Sequence, residues 1–164
     1  MRSWARFAAE EPEMAAAGRA LLYQFGGVGL AFLATTRADG GPRVHPMCPI
    51  LWDDGLYALL IPSPKRDDLH RDPRFAMHCY PPDDNENAFY VTGVAEQISD
   101  TSVLARVTER FLDERAWSTP PPDIDLQELF EFRIERALLT TTEGHGDPAP
   151  RHRVWKAGGT ARPS

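Results

Sequence analysis

Cysteine is nearly absent from this chain of 164 residues: only Cys48 and Cys79 occur, each inside an apolar run. Two such residues build no disulfide framework and read as reduced, buried thiols of a cytoplasmic protein. An excess of positive charge is missing too. Lysine and arginine number 18 against 24 aspartates and glutamates, for a formal net charge of -6. The molecule as a whole therefore has no long-range attraction for nucleic acid or for an anionic membrane. Any anion site must be local. The longest mostly apolar run, "GGVGLAFLATT", falls far short of the ~20 residues that span a bilayer. The N-terminus, "MRSWARFAAEEPEM", turns acidic at once and lacks the apolar core of a signal peptide.

Motifs for metal binding and nucleophilic catalysis are also missing. There is no C-x-x-C, H-x-x-x-H, G-x-S-x-G or phosphate-loop pattern. His78 and Cys79 are adjacent, so a strand would point them to opposite faces, away from a shared ion. No metal site is expected. Cys48 has only His45 near it, three residues back on a proline-broken strand, and reads better as a small buried hydrophobe than as a nucleophile.

What remains is a globular composition, 42% hydrophobic and 26% charged, in a length that fits one domain with a real core. Residues 10–25, "EEPEMAAAGRALLYQF", predict an amphipathic helix with acidic residues at its start and Gly26-Gly27 at its end. Then the texture changes. "GLAFLATT", "PRVHPMCPILW", "GLYALLIP", "FAMHCY" and "AFYVTGVAEQIS" are short apolar runs, punctuated by the turn signals "ADGGP" and "DDG". Such a series reads as antiparallel sheet or barrel. Pro42, Pro46 and Pro49 suggest that their strand is bulged or lies at an edge. Asp100 can cap a helix running to about Trp117, and Phe130, Phe132 and Ile134 alternate with Glu131, Arg133 and Glu135 along a long half-buried strand. "RHRVWKA" predicts one more short strand before a Gly/Pro tail. The sum is a small β-barrel with a few helices.

One stretch raises a chemical question. "SPKRDDLHRDPRF", residues 63–75, sets Lys65, Arg66, Arg71 and Arg74 among Asp67, Asp68 and Asp72. A strand that breaks at Ser63 and feeds a helix starting at Pro64 presents free N–H groups, a hydroxyl, an ammonium and a guanidinium, which together can cradle a phosphate. Pro73 would end that helix at Asp72. The residues alone fit an ordinary solvated turn at least as well, with Lys65 or Arg66 paired to Asp68 or Asp67 for well under ~1 kcal/mol.

The order of the pieces resembles the FMN-binding split-barrel superfamily, the pyridoxamine 5'-phosphate oxidase-like proteins. "LATTRADGGPRVHPM" supplies a strand, an Asp39-Gly40 turn and a second strand. Ser63-x-Lys65-x-x-x-Leu69-x-x-Asp72-Pro73 fits the family's S-x-K-x-x-x-L-x-x-N-P spacing, and "YVTGVAE" is similar to the V-x-G strand that follows. The resemblance covers residues 28–99 in detail and the later helix and strand in outline, in the style of an actinobacterial branch. It implies a mainly β fold: a split barrel of six to seven antiparallel strands with Greek-key-like connections and accessory helices. The implied division is a helical segment 1–27 packed on the barrel, the FMN-binding barrel 28–157, and a flexible tail 158–164. It also implies a homodimer with a cofactor in each interface groove. Arg43 and Lys65 would then contact the cofactor phosphate, with Ser63 and Arg66 beside them. Val44, His45 and Pro46 would lie along the isoalloxazine ring, and backbone at Leu60 and Ile61 would line the other side. Trp155 either caps the ring from the partner subunit or simply packs at a barrel edge.

Departures from the oxidase proper are specific. Its glutamine before V-x-G is Ala88 here, and its R-x-H-D-R substrate motif is absent, with Arg151, His152 and Arg153 differently arranged. Oxidation of pyridoxamine phosphate is not expected. FMN is the first cofactor expected, the deazaflavin coenzyme F-420 the alternative, and haem on His45 or His78 the less favoured one. A bound flavin carries redox chemistry itself, which would explain the missing acid–base dyad. The expected function is an oxidoreductase acting on a small molecule, against the alternative of a non-catalytic flavin or haem carrier; no catalytic residue is assigned.

Overall fold

The structure, a computed structural model that describes residues 1–159, begins with a helix the sequence pattern did not announce. Ser3 caps α1 (Trp4–Glu10), its hydroxyl accepting from Arg6 N at 3.3 Å. Seven residues are too few for a readable period and would not hold a helix alone. Burial of Trp4 and Phe7 in the core holds it. Pro12 then starts α2 (Pro12–Leu22), which buries Met14 and Leu22. Gly26 and Gly27, at φ 68° and 77°, turn the chain through a left-handed region open to glycine.

Among the described residues eight strands follow. They are β1 (Ala31–Thr36), β2 (Pro42–Met47), β3 (Ile50–Trp52), β4 (Gly55–Leu60), β5 (Arg74–Cys79), β6 (Ala88–Ile98), β7 (Glu128–Thr141) and β8 (Arg151–Lys156). The count exceeds six to seven because Cys48 and Pro49 split one expected strand into β2 and β3; Pro49 has no N–H for the ladder. Between β4 and β5 lies α3 (Pro64–Arg71), and between β6 and β7 lies α4 (Thr101–Asp113), capped by Asp100 through Ser102 N at 2.8 Å and Val103 N at 3.3 Å.

All pairings are antiparallel, in the order β2-β1-β5-β6-β7-β4-β3, with β8 added to β7. The ends of this path, β2 and β3, are consecutive in the chain and joined by two residues, yet they do not pair. The barrel is split there. Phe130, Phe132 and Ile134 face the core as their alternation predicts. A bulge at Thr92/Gly93 then resets the register, so that Glu135 and Arg136 are both exposed. A Cβ on Gly93 would lie 1.8 Å from Arg133 O, so only glycine allows this approach. Leu129, on the opposite face of β7 from Phe130, enters a second cluster with Ile50, Tyr57 and Val107 under α4. On that same face Glu131 is buried rather than solvated, flanked by Arg133 at 3.2 Å.

Trp4, Phe7, Met14 and Leu22 belong to the same core as Leu33, Phe75 and Phe132, so the helical segment shares the barrel's interior. Of the tail, Gly159 N donates to Lys156 O at 3.0 Å across a turn at residues 157 and 158, and residues 160–164 lie outside the described residues. One sheet face stays uncovered. Pro46, Phe32, His78, Tyr90, Leu138 and Val154 are register partners in succession across six strands, and none is buried. Directly opposed residues share a face, so these six form one continuous, largely apolar row. Among the described residues no helix is long and apolar enough to cross a membrane.

Candidate functional site

The Pro64 start and the Pro73 stop work as their chemistry dictates. Ser63 is the extended N-cap of α3, its carbonyl accepting from Arg66 N and Asp67 N at 3.0 and 3.1 Å, and Asp72 returns to extended geometry before Pro73. The Ser63 hydroxyl does not cap the helix; it donates to Ile61 O at 2.9 Å. Lys65 N–H is left at the positive end of the helix, since Pro64 has no donor.

Helix α3 lies against β1 and β2 and brings its first turns to the inward face of β2. There Arg43 Nε donates to Asp68 Oδ2 at 2.6 Å. Thr35 Oγ1 donates to the same oxygen at 2.8 Å, and Arg71 Nη2 reaches Oδ1 at 3.1 Å. Asp68 is only 3% exposed. Burial pushes its carboxyl up, but the hydrogen bonds from Arg43, Thr35 and Arg71 outweigh that and hold it below the ordinary carboxylate value. Asp68 therefore pairs with Arg43 and Arg71, not with Lys65 or Arg66 as a solvated turn would have it. The terminal nitrogens of Arg43 make no hydrogen bond among the described residues.

Lys65 forms no ion pair among the described residues; burial lowers its ammonium, with Cys48 opposing weakly. His45 faces the same side of β2 as Arg43. Its Nε2 is out of water and has no hydrogen-bond partner. Burial first, then the charges of Lys65 and Arg43, lower the ring below its ordinary value, against a smaller opposing pull from Asp68. Buried polar atoms are nearly always bonded; His45 Nε2 is, among the described residues, an unsatisfied nitrogen closed to water on the inward face of β2. The terminal nitrogens of Arg43, the Lys65 ammonium and the Lys65 N–H are the donors that could hold a phosphate monoester.

The other expected residues divide. Val44 is 61% exposed and Pro46 is exposed, both on the outward face of β2. Leu60 is buried, and Ile61 stands 39% exposed at the start of the turn into α3. Arg66 is not brought to this group: Nη1 donates to Leu126 O at 3.0 Å and approaches Glu128 Oε1 at 3.5 Å. Trp155 is not either. It is 6% exposed, with its ring packed 4.9 Å from Phe7 inside its own barrel. Thr35, Asp68 and Arg71 are the members that sequence reasoning missed. No motif marks them, because their meeting depends on α3 docking against β1.

The site is a shelf rather than a closed pocket. A recess of about 330 Å³ lies beside Arg43, lined by Arg37, Ala38, Asp39 and Arg43. A larger one of about 450 Å³ opens at Ala34, Thr36, Pro42, Arg74 and Ala76 and does not include Lys65 or His45. Among the described residues no group of three or more histidine, cysteine or acidic side chains could hold a metal ion.

The family described as Pyridoxamine 5'-phosphate oxidase matches residues 19–141. No curated protein is significantly similar to the chain. Among solved structures, an F-420 reductase is 24% identical over 73% of this chain and 94% of its own, with a TM-score of 0.55. A heme binding protein from Mycobacterium smegmatis is 18% identical over 86% of this chain and 57% of its own, at 0.61. PhzG from Burkholderia lata 383, in complex with tetrahydrophenazine-1-carboxylic acid, is 12% identical over 95% and 88%, at 0.64. At these identities the likeness is one of fold.

Proposed function

Because this chain belongs to the pyridoxamine 5'-phosphate oxidase family, which matches it over residues 19–141, we propose that it is a homodimeric, cytoplasmic flavin-binding oxidoreductase. Its ligand is FMN, gripped by the phosphate, and its substrate is a small molecule other than pyridoxamine phosphate. The observation that carries this reading is Arg43, held through Nε by Asp68 with its terminal nitrogens unbonded among the described residues, together with Lys65, which forms no ion pair among them.

When bound, FMN supplies hydride chemistry that no side chain here could perform. The chain's own residues bind and orient. Arg43, locked by Asp68, turns its terminal nitrogens outward as donors to phosphate oxygens. Lys65 adds a point charge and its backbone N–H. Pro42 and Pro46 withhold N–H groups along β2, while Val44 offers an apolar edge to a planar ring. Ser63 and backbone at Leu60 and Ile61 close the far side. The open shelf needs a second wall, and the uncovered row from Pro46 to Val154 supports pairing with a second copy of this chain.

A deazaflavin ligand is the second reading, favoured by the likeness to an F-420 reductase that spans 94% of that chain. Haem has less support: His45 and His78 lie on opposite faces, and His78 Nδ1 is already within 2.6 Å of Cys79 O. The test is a titration of purified protein with FMN and with the deazaflavin, followed by tryptophan quenching. Micromolar or tighter binding of FMN is expected. Preference for the deazaflavin selects the second reading, and binding of neither overturns both.

A further inference from the structure

Glu128, the first residue of β7, turns its carboxylate toward α3 and holds that helix at two points about one turn apart. Its Oε2 accepts from His70 Nε2 at 2.6 Å, and its Oε1 lies 3.5 Å from Arg66 Nη1. Arg66 Nη1 also donates to Leu126 O at 3.0 Å and reaches Leu60 O, at the end of β4, at 3.5 Å. The i, i+4 spacing sets Arg66 and His70 on one face of the helix. Asp68 and Arg71 leave it from another, toward Thr35, Arg43 and the carbonyl of Thr36.

Along the sheet β1 and β7 are separated by β5 and β6, and the free edges of β2 and β3 do not pair. Helix α3 therefore ties one side of the split barrel to the other. Asp68 fixes it to β1 and β2, and Glu128 fixes it to β7 and, through Arg66, to the end of β4. Lys65 stands in the first turn of α3, next to Arg66 and just after the break at Ser63. Its distance from Arg43, which stands on β2, depends on both ties. We propose that Glu128 is a positioning residue for the anion site: through Arg66 and His70 it holds α3 where Lys65 and Arg43 meet one phosphate group. The inference rests on the phosphate-binding reading and adds to it a residue outside the site that sets its span.

The sign of the effect separates this role from two simpler ones. The side chains of Arg66, Glu128 and His70 are 16%, 30% and 41% exposed, and pairs so accessible to water add little to global stability. As a bare charge, Glu128 repels an anionic ligand, so its removal would tighten binding. As a support of Lys65, its removal weakens binding, and only while Lys65 is there to be misplaced.

The experiment is a double-mutant cycle on the full chain, read as the Kd for FMN beside the thermal midpoint. Glu128→Ala is expected to raise the Kd about fivefold when Lys65 is present, and to leave it unchanged or slightly lower in Lys65→Met. Glu128→Gln, which keeps an acceptor for His70, is expected to recover most of the loss. An unchanged or lower Kd for Glu128→Ala in the wild-type background overturns the proposal, and so does an equal rise in both backgrounds. Should Glu128→Ala not fold, His70→Ala removes one of the two contacts from an exposed position, and its dependence on Lys65 decides in the same way. FMN binding with positions 65 and 128 uncoupled leaves the flavin reading standing and removes this inference. Where wild type binds no FMN, the same cycle is run with inorganic phosphate: coupling there supports the inference while the flavin reading falls, and binding of neither overturns both.

Discussion

Arg43 and Asp68 meet at 2.6 Å, one from a strand and one from a helix, and Asp68 is almost wholly buried at that contact. The bond fixes the direction in which Arg43 points. Asp68→Asn keeps the shape and removes the charge that balances Arg43 and Arg71. Because both arginines retain some water contact, the loss of stability is expected to be about 2 kcal/mol, below that of a fully buried pair. The lowered carboxyl sets the pH dependence. Its contribution is complete above the ordinary value of 3.8 and fades as pH falls below that, through the folded value. Urea midpoints at pH 7 should therefore differ clearly between the two proteins, and those at pH 3 much less. An equal gap at both would contradict the assignment.

Among the described residues Lys65 holds no ion-pair partner, so its loss should spare the fold. Lys65→Glu is expected to raise the Kd for FMN by roughly a hundredfold or more, about 3 kcal/mol, while leaving the thermal midpoint within a degree or two. Fluorescence titration beside a melting curve separates the two effects. Unchanged affinity would return "SPKRDDLHRDPRF" to an ordinary solvated turn.

Leu138 lies in the uncovered row and outside the core. Leu138→Glu introduces a charge that a dimer through this face would have to desolvate. Sedimentation should give the mass of one chain for the variant and of two for wild type, with unchanged far-ultraviolet dichroism. If the variant remains a dimer, the copies pair elsewhere.

Glu131 is buried beside Arg133, and burial raises its carboxyl despite the neighbouring guanidinium. A raised folded pKa means that stability is lost as pH climbs from the unfolded value through the folded one. Glu131→Gln removes that loss. Its midpoint is expected to match wild type near pH 4 and to equal or exceed it at pH 8, as measured by denaturant titration at both.

Elements bounded by their own local chemistry could be read directly from the sequence. Asp100 caps α4, Pro64 and Pro73 bracket α3, and the Phe130-Phe132-Ile134 alternation defines the inward face of β7. Each is a covalent or nearest-neighbour effect. Helix α1 could not be read, because seven residues show no period and Trp4 and Phe7 acquire their meaning only from the core they enter. The break at Cys48-Pro49 shows in the residues as a proline, but whether a proline bends a strand or ends it depends on the neighbours it meets. The same limit governs the site. Arg43 and Lys65 stand out through spacing and resemblance, whereas Asp68 is one of three aspartates in its stretch until Thr35 and Arg43 converge on it. Arg66 and Trp155 have the chemistry of ligand contacts and spend it inside the chain.

The two-residue step from β2 to β3 has a consequence for how this scaffold diversifies. The chain closes the circle that hydrogen bonds leave open, so the two free edges are tethered at one end, within about 11 Å of chain, and unpaired along the rest. No hydrogen-bond ladder fixes the span between β2 and β3, so a shelf beside this seam can be wider or narrower without replacing any residue of the Phe7–Phe89–Phe132 interior. Ligands of different length can be accommodated by aperture rather than by carving new walls, and descendants of one barrel can change what they hold while keeping the same heart.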